Sequence, residues 1–381
     1  MEVYFDNAAT TQVAPEVVRL MDQVMTEDYG NPSSLHAKGA IASKYVNDAR
    51  AIIAKTLKCD PKEILFTSGG TESNNMALIG GALANERRGK HIISTRIEHA
   101  SVYNPLLYLE KQGFEITFLP VDRNGRVDLE ELKNALRPDT ILVSVMMVNN
   151  EIGAVEPIEE IGTIVKKYNH EILIHIDAIQ AYGKLKISVN KAKIDLLSVS
   201  GHKIHGPKGI GFLYIRDKVK VHPLVYGGGQ QRDLRSGTEN VPGIAGLAKA
   251  AQIMYDNYNE THSRMLDVKN RFVEKVTELD GVLSNSGEAP HIASISFQGI
   301  TRAETLLHAL EASGVYCSAG SACSSNHPAI SGTLKAIGLD DEYLQATLRF
   351  SFSIYSTPEE VDYAVQVIAE ELPRLRGFVK R

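Results

Sequence analysis

The sequence predicts an α/β protein: a large domain built on a mainly parallel sheet, followed by a smaller α+β C-terminal domain. Two observations carry this. Through the first two thirds of the chain, short apolar runs alternate with helical patterns, as expected when parallel strands are joined by crossover helices. From Val241 onward the texture changes to a long helical stretch, then strands and helices that no longer alternate in that way.

Taken in order, Pro15–Glu27 places Val17, Val18, Met21, Val24 and Met25 on one stripe, and Pro15 suits the first helical position. Glu63–Thr67, His91–Thr95, Phe114–Leu119, Ile141–Val148, Ile172–Asp177 and Leu196–Ser200 read as strands. Most are apolar on both sides, which suits a sheet covered by helices on both faces. Asp128–Leu136 and Pro157–Tyr168 read as helices between them. Val241–Leu279 reads as one long helix joining the two domains. Beyond it, Ile292–Phe297 alternates like a half-buried strand, Ala303–Ser313 is helical and Leu348–Ile354 is a further strand. Thr357–Leu372 opens with the helix-start signal Thr-Pro-Glu-Glu.

Composition narrows the class. The chain has 381 residues, enough for two domains and a sizeable core. Lys and Arg number 41 against 46 Asp and Glu, a spread-out net charge of −5 that offers no basic face to nucleic acid or anionic membrane. The longest apolar runs, such as Ile172–Ile176, are too short to span a bilayer, and MEVYFDNAATT lacks the features of a signal peptide. Three cysteines argue against a disulfide framework. A reduced, cytoplasmic enzyme is expected.

Four segments carry candidate chemistry. Ser68–Asn75 (SGGTESNN) follows a strand and opens a helix, so its small residues and helix N-terminus suit an anion, with the Thr71 hydroxyl as a further donor. A plain helix cap is the alternative, and the ending of a Walker loop is missing. Asp177 ends an apolar strand at the carboxyl edge of the sheet, where it either meets a cationic ligand group such as a pyridinium nitrogen or caps a turn. Lys203, in SVSGHKIHGP, either forms a Schiff base or is a solvated loop lysine, with Ser200 and His202 beside it as phosphate donors. His202 and His205 lack a carboxylate or Cys to complete a metal set, and no metal is expected. Finally, VYCSAGSACSS places Cys323 near the tip of a small-residue loop, as a reactive thiol requires; Cys317 looks packed.

The order of these parts, phosphate loop, strand-end Asp and strand-end Lys, resembles the fold-type I pyridoxal-phosphate enzymes. The resemblance narrows through DNAATT (Asp6–Thr11), GNPSSLH (Gly30–His36), SGGTESNN, IEHAS, NNEIG (Asn149–Gly153), HIDAIQ, SGHKIHGPKG, RSGTEN (Arg235–Asn240), GSACSS and LRFSF (Leu348–Phe352). Together these cover nearly the whole chain in the order of the cysteine desulfurases, in the class-V aminotransferase family. The stretch after Cys323, running into GTLKAIGL, is similar to the subgroup of nitrogen-fixation and iron–sulfur-cluster assembly enzymes.

The resemblance implies a large domain with a mainly parallel seven-stranded sheet at 13–255, and a small domain at 256–381 joined by 1–12. It implies pyridoxal 5'-phosphate held by Lys203, with Asp177 on its ring nitrogen and Gln180 on its phenolic oxygen. Gly70, Thr71, Ser200 and His202 would hold its phosphate, and Thr238 would reach the phosphate in a neighbouring subunit, making a homodimer. His99 would stack on the ring and move protons. Asn150 and Arg349 would grip the substrate carboxylate, with Asn31 nearby. The implied reaction converts L-cysteine to L-alanine: Lys203 takes the α-proton, and Cys323 receives the sulfur as a persulfide on a mobile loop that carries it to an acceptor.

The implied acceptor is an iron–sulfur scaffold or, equally, a thiouridine synthase, because the chain stops at GFVKR where assembly enzymes usually extend to dock their scaffold. Cys317 is an unusual second thiol, either packed or a relay. The alternative within the enzyme class is selenocysteine lyase, which can work without the Cys323 nucleophile; a non-catalytic binding protein of the same fold stands further off, since Lys203 and Cys323 are both present.

Overall fold

The computed structural model describes residues 1–319 and 331–379, and side chains as far as Gly377. Its centre is a seven-stranded sheet in the order Ile64–Thr67, Gly211–Ile215, Leu196–Ser200, Leu173–Asp177, Thr140–Met146, His91–Thr95 and Glu115–Leu119. Gly211–Ile215 is antiparallel to both its neighbours, so the other six strands share one direction. The expected mainly parallel α/β sheet is present.

Alternate residues of these strands enter different cores. Ile64, Ile93, Val143, Ile174, Leu197 and Phe212 pack into the larger core. Their sequence neighbours Leu65, Ile92, Leu142, Leu173, Leu196 and Leu213 pack into a second core on the opposite face. With both faces covered, the strands are continuously apolar rather than alternating, as parallel strands must be when helices lie on both sides.

The larger core is closed by helices Pro15–Thr26, Ala37–Leu57 and Val241–Asp256. In the first, Val17 and Val24 are buried, but Val18 and Met25 are exposed, so the expected stripe is narrower than read. The two outliers lie seven apart, on the row beside the core-facing one. Asp128 caps helix Leu129–Ala135 by accepting from the Glu130 N–H at 2.7 Å. Thr357 and Glu360 each bond the other's backbone N–H, a reciprocal capping box ahead of helix Pro358–Val379.

The long helical stretch is two helices, Val241–Asp256 and Tyr258–Thr277, not one. Asn257 interrupts it with φ −120 and ψ 37, outside the helical region. The second helix leads to a four-stranded antiparallel sheet in the order Ser318–Ala319, Thr347–Ser351, Ile292–Phe297 and Val282–Ser284. This smaller sheet has its own core, in which Phe272, Phe297, Phe350 and Phe352 are fully buried.

The N-terminal residues join that core. Strand Val3–Tyr4 pairs in parallel with Val315–Tyr316, and the Ser351 N–H donates to the Phe5 carbonyl at 2.7 Å. The Phe5 ring packs edge-on against Phe352, centroids 4.8 Å apart. The chain then crosses to the large sheet, where the Thr11 N–H donates to the His202 carbonyl at 2.9 Å. Among the described residues no helix is long and apolar enough to cross a membrane.

Two predictions follow from the packing. Phe5→Ala is expected to lower the unfolding free energy by about 3–5 kcal/mol, the cost of emptying a buried aromatic site, measured by urea denaturation. Glu156 is buried, its Oε2 accepting from the Val127 N–H at 3.0 Å, and burial pushes its carboxyl up to about 8. The folded state therefore keeps a proton that the unfolded chain releases near pH 4.3, so this contribution to stability is complete in acid and is lost as pH rises to about 8. Glu156→Gln keeps the acceptor for Val127 and should gain stability over the wild type progressively from pH 5 to 8, as followed by thermal melts.

Candidate active site

A cavity of about 290 Å³ opens where strands Thr140–Met146, Leu173–Asp177 and Leu196–Ser200 end; Met146, Asp177 and Ser200 line it. His202 and Lys203 reach it from the turn Gly201–Lys203, directly after the last of these strands. Gly70 and Thr71 reach it from the start of helix Gly70–Asn75, His99 from the cap of helix Ala100–Lys111, and Gln180 from the turn after Asp177. Asn150 and Arg349 complete the wall, Arg349 arriving on strand Thr347–Ser351 of the small sheet. A larger hollow of about 700 Å³, lined by Lys55, Lys58, Lys186 and Lys191, gathers none of the expected residues. Chemistry, not size, marks the site.

Asp177 is 3% exposed. Its Oδ1 accepts from the Ile179 N–H at 2.9 Å and its Oδ2 from Asn74 Nδ2 at 2.8 Å. Burial pushes the carboxyl up from its usual range, against these two hydrogen bonds and the fields of His99 and Lys203. A cationic ligand nitrogen would favour its ionised form. The same Asn74 Nδ2 donates to Ser101 Oγ at 2.9 Å, and Ser101 Oγ lies 2.8 Å from His99 Nδ1. Asn74 and Ser101 were not singled out from the sequence. Asn74 sits one helical turn beyond Gly70, on the same face, and Ser101 sits where a helix-capping partner belongs; those spacings were the available signals.

Lys203 Nζ donates to the backbone carbonyls of Ala8 and, at 2.7 Å, Ala9. Gln180 Nε2 donates to the same Ala8 carbonyl at 2.8 Å, while Gln180 Oε1 lies 3.3 Å from Nε2 of the fully buried His291. His202 Nδ1 lies 3.2 Å from Thr10 Oγ1, and His205 Nδ1 lies 2.9 Å from the Gln12 carbonyl. Burial pushes both imidazoles down to about 4, keeping them neutral at pH 7. These two histidines are thus committed to the N-terminal segment.

At the loop end, Gly70 packs closely on Ile179, itself a lining residue: a Cβ there would lie 2.2 Å from Ile179 Cδ1 and push that side chain aside. Glu72 pairs with Arg235 of the RSGTEN motif, Oε1 to Nε 2.8 Å, and accepts from the Ser68 N–H at 2.7 Å. Burial would raise the Glu72 carboxyl, but the bonds from Arg235 and Ser68 outweigh it and hold it below its usual range. Thr238 does not line the cavity; it lines a neighbouring pocket with Phe66, Ser68 and Gly209. Asn31 is exposed and accepts from the Ser33 N–H at 2.9 Å, away from the lining. Cys323 lies outside the described residues.

On the wall formed from the small sheet, Arg349 is 5% exposed, with Nη2 2.9 Å from Asp6 Oδ1 and Nη1 donating to the Asn150 carbonyl at 2.9 Å. The neighbouring Glu151 accepts from the hydroxyls of Ser331, at 2.5 Å, and Thr333, at 3.2 Å. Cys317 packs against the small-sheet core, and burial pushes its thiol up, away from the nucleophilic thiolate.

The donor set fits pyridoxal 5'-phosphate: hydroxyl and imidazole donors with the Gly70–Thr71 turn at one end, a buried carboxylate at the other, and a lysine amine within the same cavity. Comparison agrees. Residues 3–364 match the aminotransferase class-V family. The chain is 46% identical over 379 residues to the cysteine desulfurase IscS of Methanosarcina thermophila, covering 99% of this chain and 93% of that one. Among solved structures, a NifS-like protein superposes with a TM-score of 0.93 at 42% identity, covering 98% of this chain and all (100%) of that one. SspA in complex with cysteine superposes with a TM-score of 0.80 at 35% identity, covering 94% of this chain and 100% of that one. A strand-end carboxylate, a lysine on the turn after the neighbouring strand and relatives of this closeness lead to one assignment: the chain belongs to the aminotransferase class-V family and, within it, to the pyridoxal-phosphate-dependent cysteine desulfurases.

Proposed function

We propose the following division of labour for the cysteine desulfurase reaction, in which L-cysteine yields L-alanine and sulfur passes to Cys323 as a persulfide. The observation that carries it is the convergence of Asp177, Lys203, His99 and Arg349 on one cavity from four separate segments. The bound cofactor supplies an electron sink for the charge left when the substrate loses its α-proton.

Lys203 would hold the cofactor, and its free amine would take that α-proton. The Ala8 and Ala9 carbonyls are positioned to accept both hydrogens of the neutral amine, which leaves its lone pair for the proton. Asp177 would pair with the ring nitrogen and Gln180 with the phenolic oxygen. Gly70, Thr71, Ser200 and His202 bind the phosphate. Arg349 and Asn150 bind the substrate carboxylate, Arg349 as a bidentate donor, with Asn31 near the substrate. The Cys323 thiolate forms a sulfur–sulfur bond as the substrate's carbon–sulfur bond breaks. The electrons of that broken bond would stay on the β-carbon, where His99 would add a proton, and Lys203 would return its proton to the α-carbon, giving alanine.

Thr238 serves the phosphate of a second copy in a homodimer. Its place outside its own cavity supports this, as does the exposure of Tyr29, Leu35 and Tyr226, apolar surface that a partner would cover. The large domain spans 13–255 and the small one 256–381 with 1–12. In support, Val3 and Phe5 belong to the small-sheet core, while Val241–Asp256 packs on the large one. The persulfide leaves to a sulfur-acceptor protein, an iron–sulfur scaffold or a thiouridine synthase, in the cytoplasm.

Purified, cofactor-loaded protein should form alanine from L-cysteine, and Cys323→Ala should lose about 10²-fold or more of that rate while keeping the cofactor's absorption band. Equal alanine from both proteins would overturn the transfer role and favour lyase chemistry.

A further inference from the structure

The Asp177 carboxylate and the His99 imidazole are joined by one chain of hydrogen bonds through Asn74 and Ser101. Each link has a direction that follows from the previous one. Asp177 Oδ2, as a carboxylate oxygen, only accepts, so Asn74 must turn its NH₂ toward it at 2.8 Å. The reversed amide would set an oxygen against the carboxylate. It would also swing the NH₂ to the present place of Asn74 Oδ1, which is buried with no hydrogen-bond partner among the described residues. The second hydrogen of Asn74 Nδ2 points to Ser101 Oγ at 2.9 Å, so the hydroxyl accepts there; because the Ser101 N–H makes His99 Nδ1 an acceptor, the hydroxyl's own hydrogen is directed to Nδ1 at 2.8 Å. The Ser101 backbone N–H also donates to Nδ1, at 3.1 Å. With two donors directed at it, Nδ1 has no room for a proton.

We propose that Asn74 and Ser101 are positioning residues that lock His99 as the neutral tautomer carrying its proton on Nε2, with the orientation of the whole chain set by the Asp177 carboxylate. The group placed against the cofactor's ring nitrogen and the imidazole that moves protons are then one polarised unit. His99 can offer a proton only from Nε2, and its ring is held at a fixed angle by a bond at the opposite edge. Ser101 lines the cavity beside His99, whereas Asn74 lies behind the lining and is joined to it through Asp177 and Ser101. Their effect runs through His99 and Asp177 alone. The inference rests on the proposed role of His99 but is read without turnover.

The test is nitrogen NMR of protein labelled with ¹⁵N-histidine, recorded both cofactor-loaded and cofactor-free, with the His99 signals assigned by their loss in His99→Asn. The expected spectrum has a protonated Nε2 and an unprotonated, hydrogen-bonded Nδ1. Ser101→Ala and Asn74→Ala should each move the Nδ1 resonance toward the tautomer-averaged position of free imidazole, Ser101→Ala the more, and Ser101→Thr should restore it. A proton on Nδ1 in the wild type would overturn the proposal, as would an Nδ1 resonance unmoved in both alanine variants. If Asn74→Ala fails to fold, Ser101→Ala with its Thr rescue decides alone. Alanine production with a proton on Nδ1 would sink the relay and leave the reaction standing; the Nε2–H tautomer without alanine production would do the reverse.

Discussion

A carboxylate buried at the end of a β-strand is the constraint on which the site is organised. Removing the charge of Asp177 from water costs several kcal/mol unless donors and cations compensate. The Ile179 N–H, the Asn74 amide and the field of Lys203 supply that compensation from three separate segments. Satisfying one oxygen brings helix Gly70–Asn75 against the strand end, and through Ser101 it also fixes the start of helix Ala100–Lys111. A cationic ligand nitrogen beside the carboxylate would complete the set. The cofactor is thus part of the electrostatic balance of the site as well as its reagent.

The second organising feature is the N-terminal segment, which clasps both sheets. Asp6 pairs with Arg349 of the small sheet, while the Ala8 and Ala9 carbonyls take Lys203 and Gln180 of the large one. Thr10 and Thr11 then bind the His202–His205 turn. One short stretch therefore touches Arg349, Lys203 and His202, three lining residues of the cavity that come from both sheets. Its anchor is Phe5, packed among the aromatic rings of the smaller core. Stability of that small core and geometry of the catalytic lysine are linked through about a dozen residues of backbone, the reach of a single extended strand.

Much of this was legible in the sequence because the chemistry sits where strands end. Asp177, Ser200, His202 and Lys203 each follow an apolar run, and the run places them on one edge before any tertiary contact is known. The less visible parts depend on long-range pairing or on backbone atoms. Nothing local shows that Asp6 meets Arg349, and the Ala8 and Ala9 carbonyls have no side-chain signature at all. Helix Ala37–Leu57 escaped notice because alanines, not large apolar residues, form much of its buried face. Strand Gly211–Ile215 follows a glycine-rich turn and pairs against the direction of its neighbours, so the alternation that revealed the other strands passes over it. The break at Asn257 lies within an unbroken helical pattern and is visible only in its backbone angles.

In the proposed reaction sulfur passes from L-cysteine to Cys323, while Cys317, packed against the small core with its thiol held protonated, takes no part. It is tested most directly by exposing the cofactor-loaded protein briefly to L-cysteine, alkylating, digesting, and locating the added sulfur by fragment-level mass spectrometry. The account predicts one extra sulfur atom on Cys323 and none on Cys59 or Cys317. Extra sulfur on Cys317, or accumulating alanine with no sulfur on any cysteine, would contradict it.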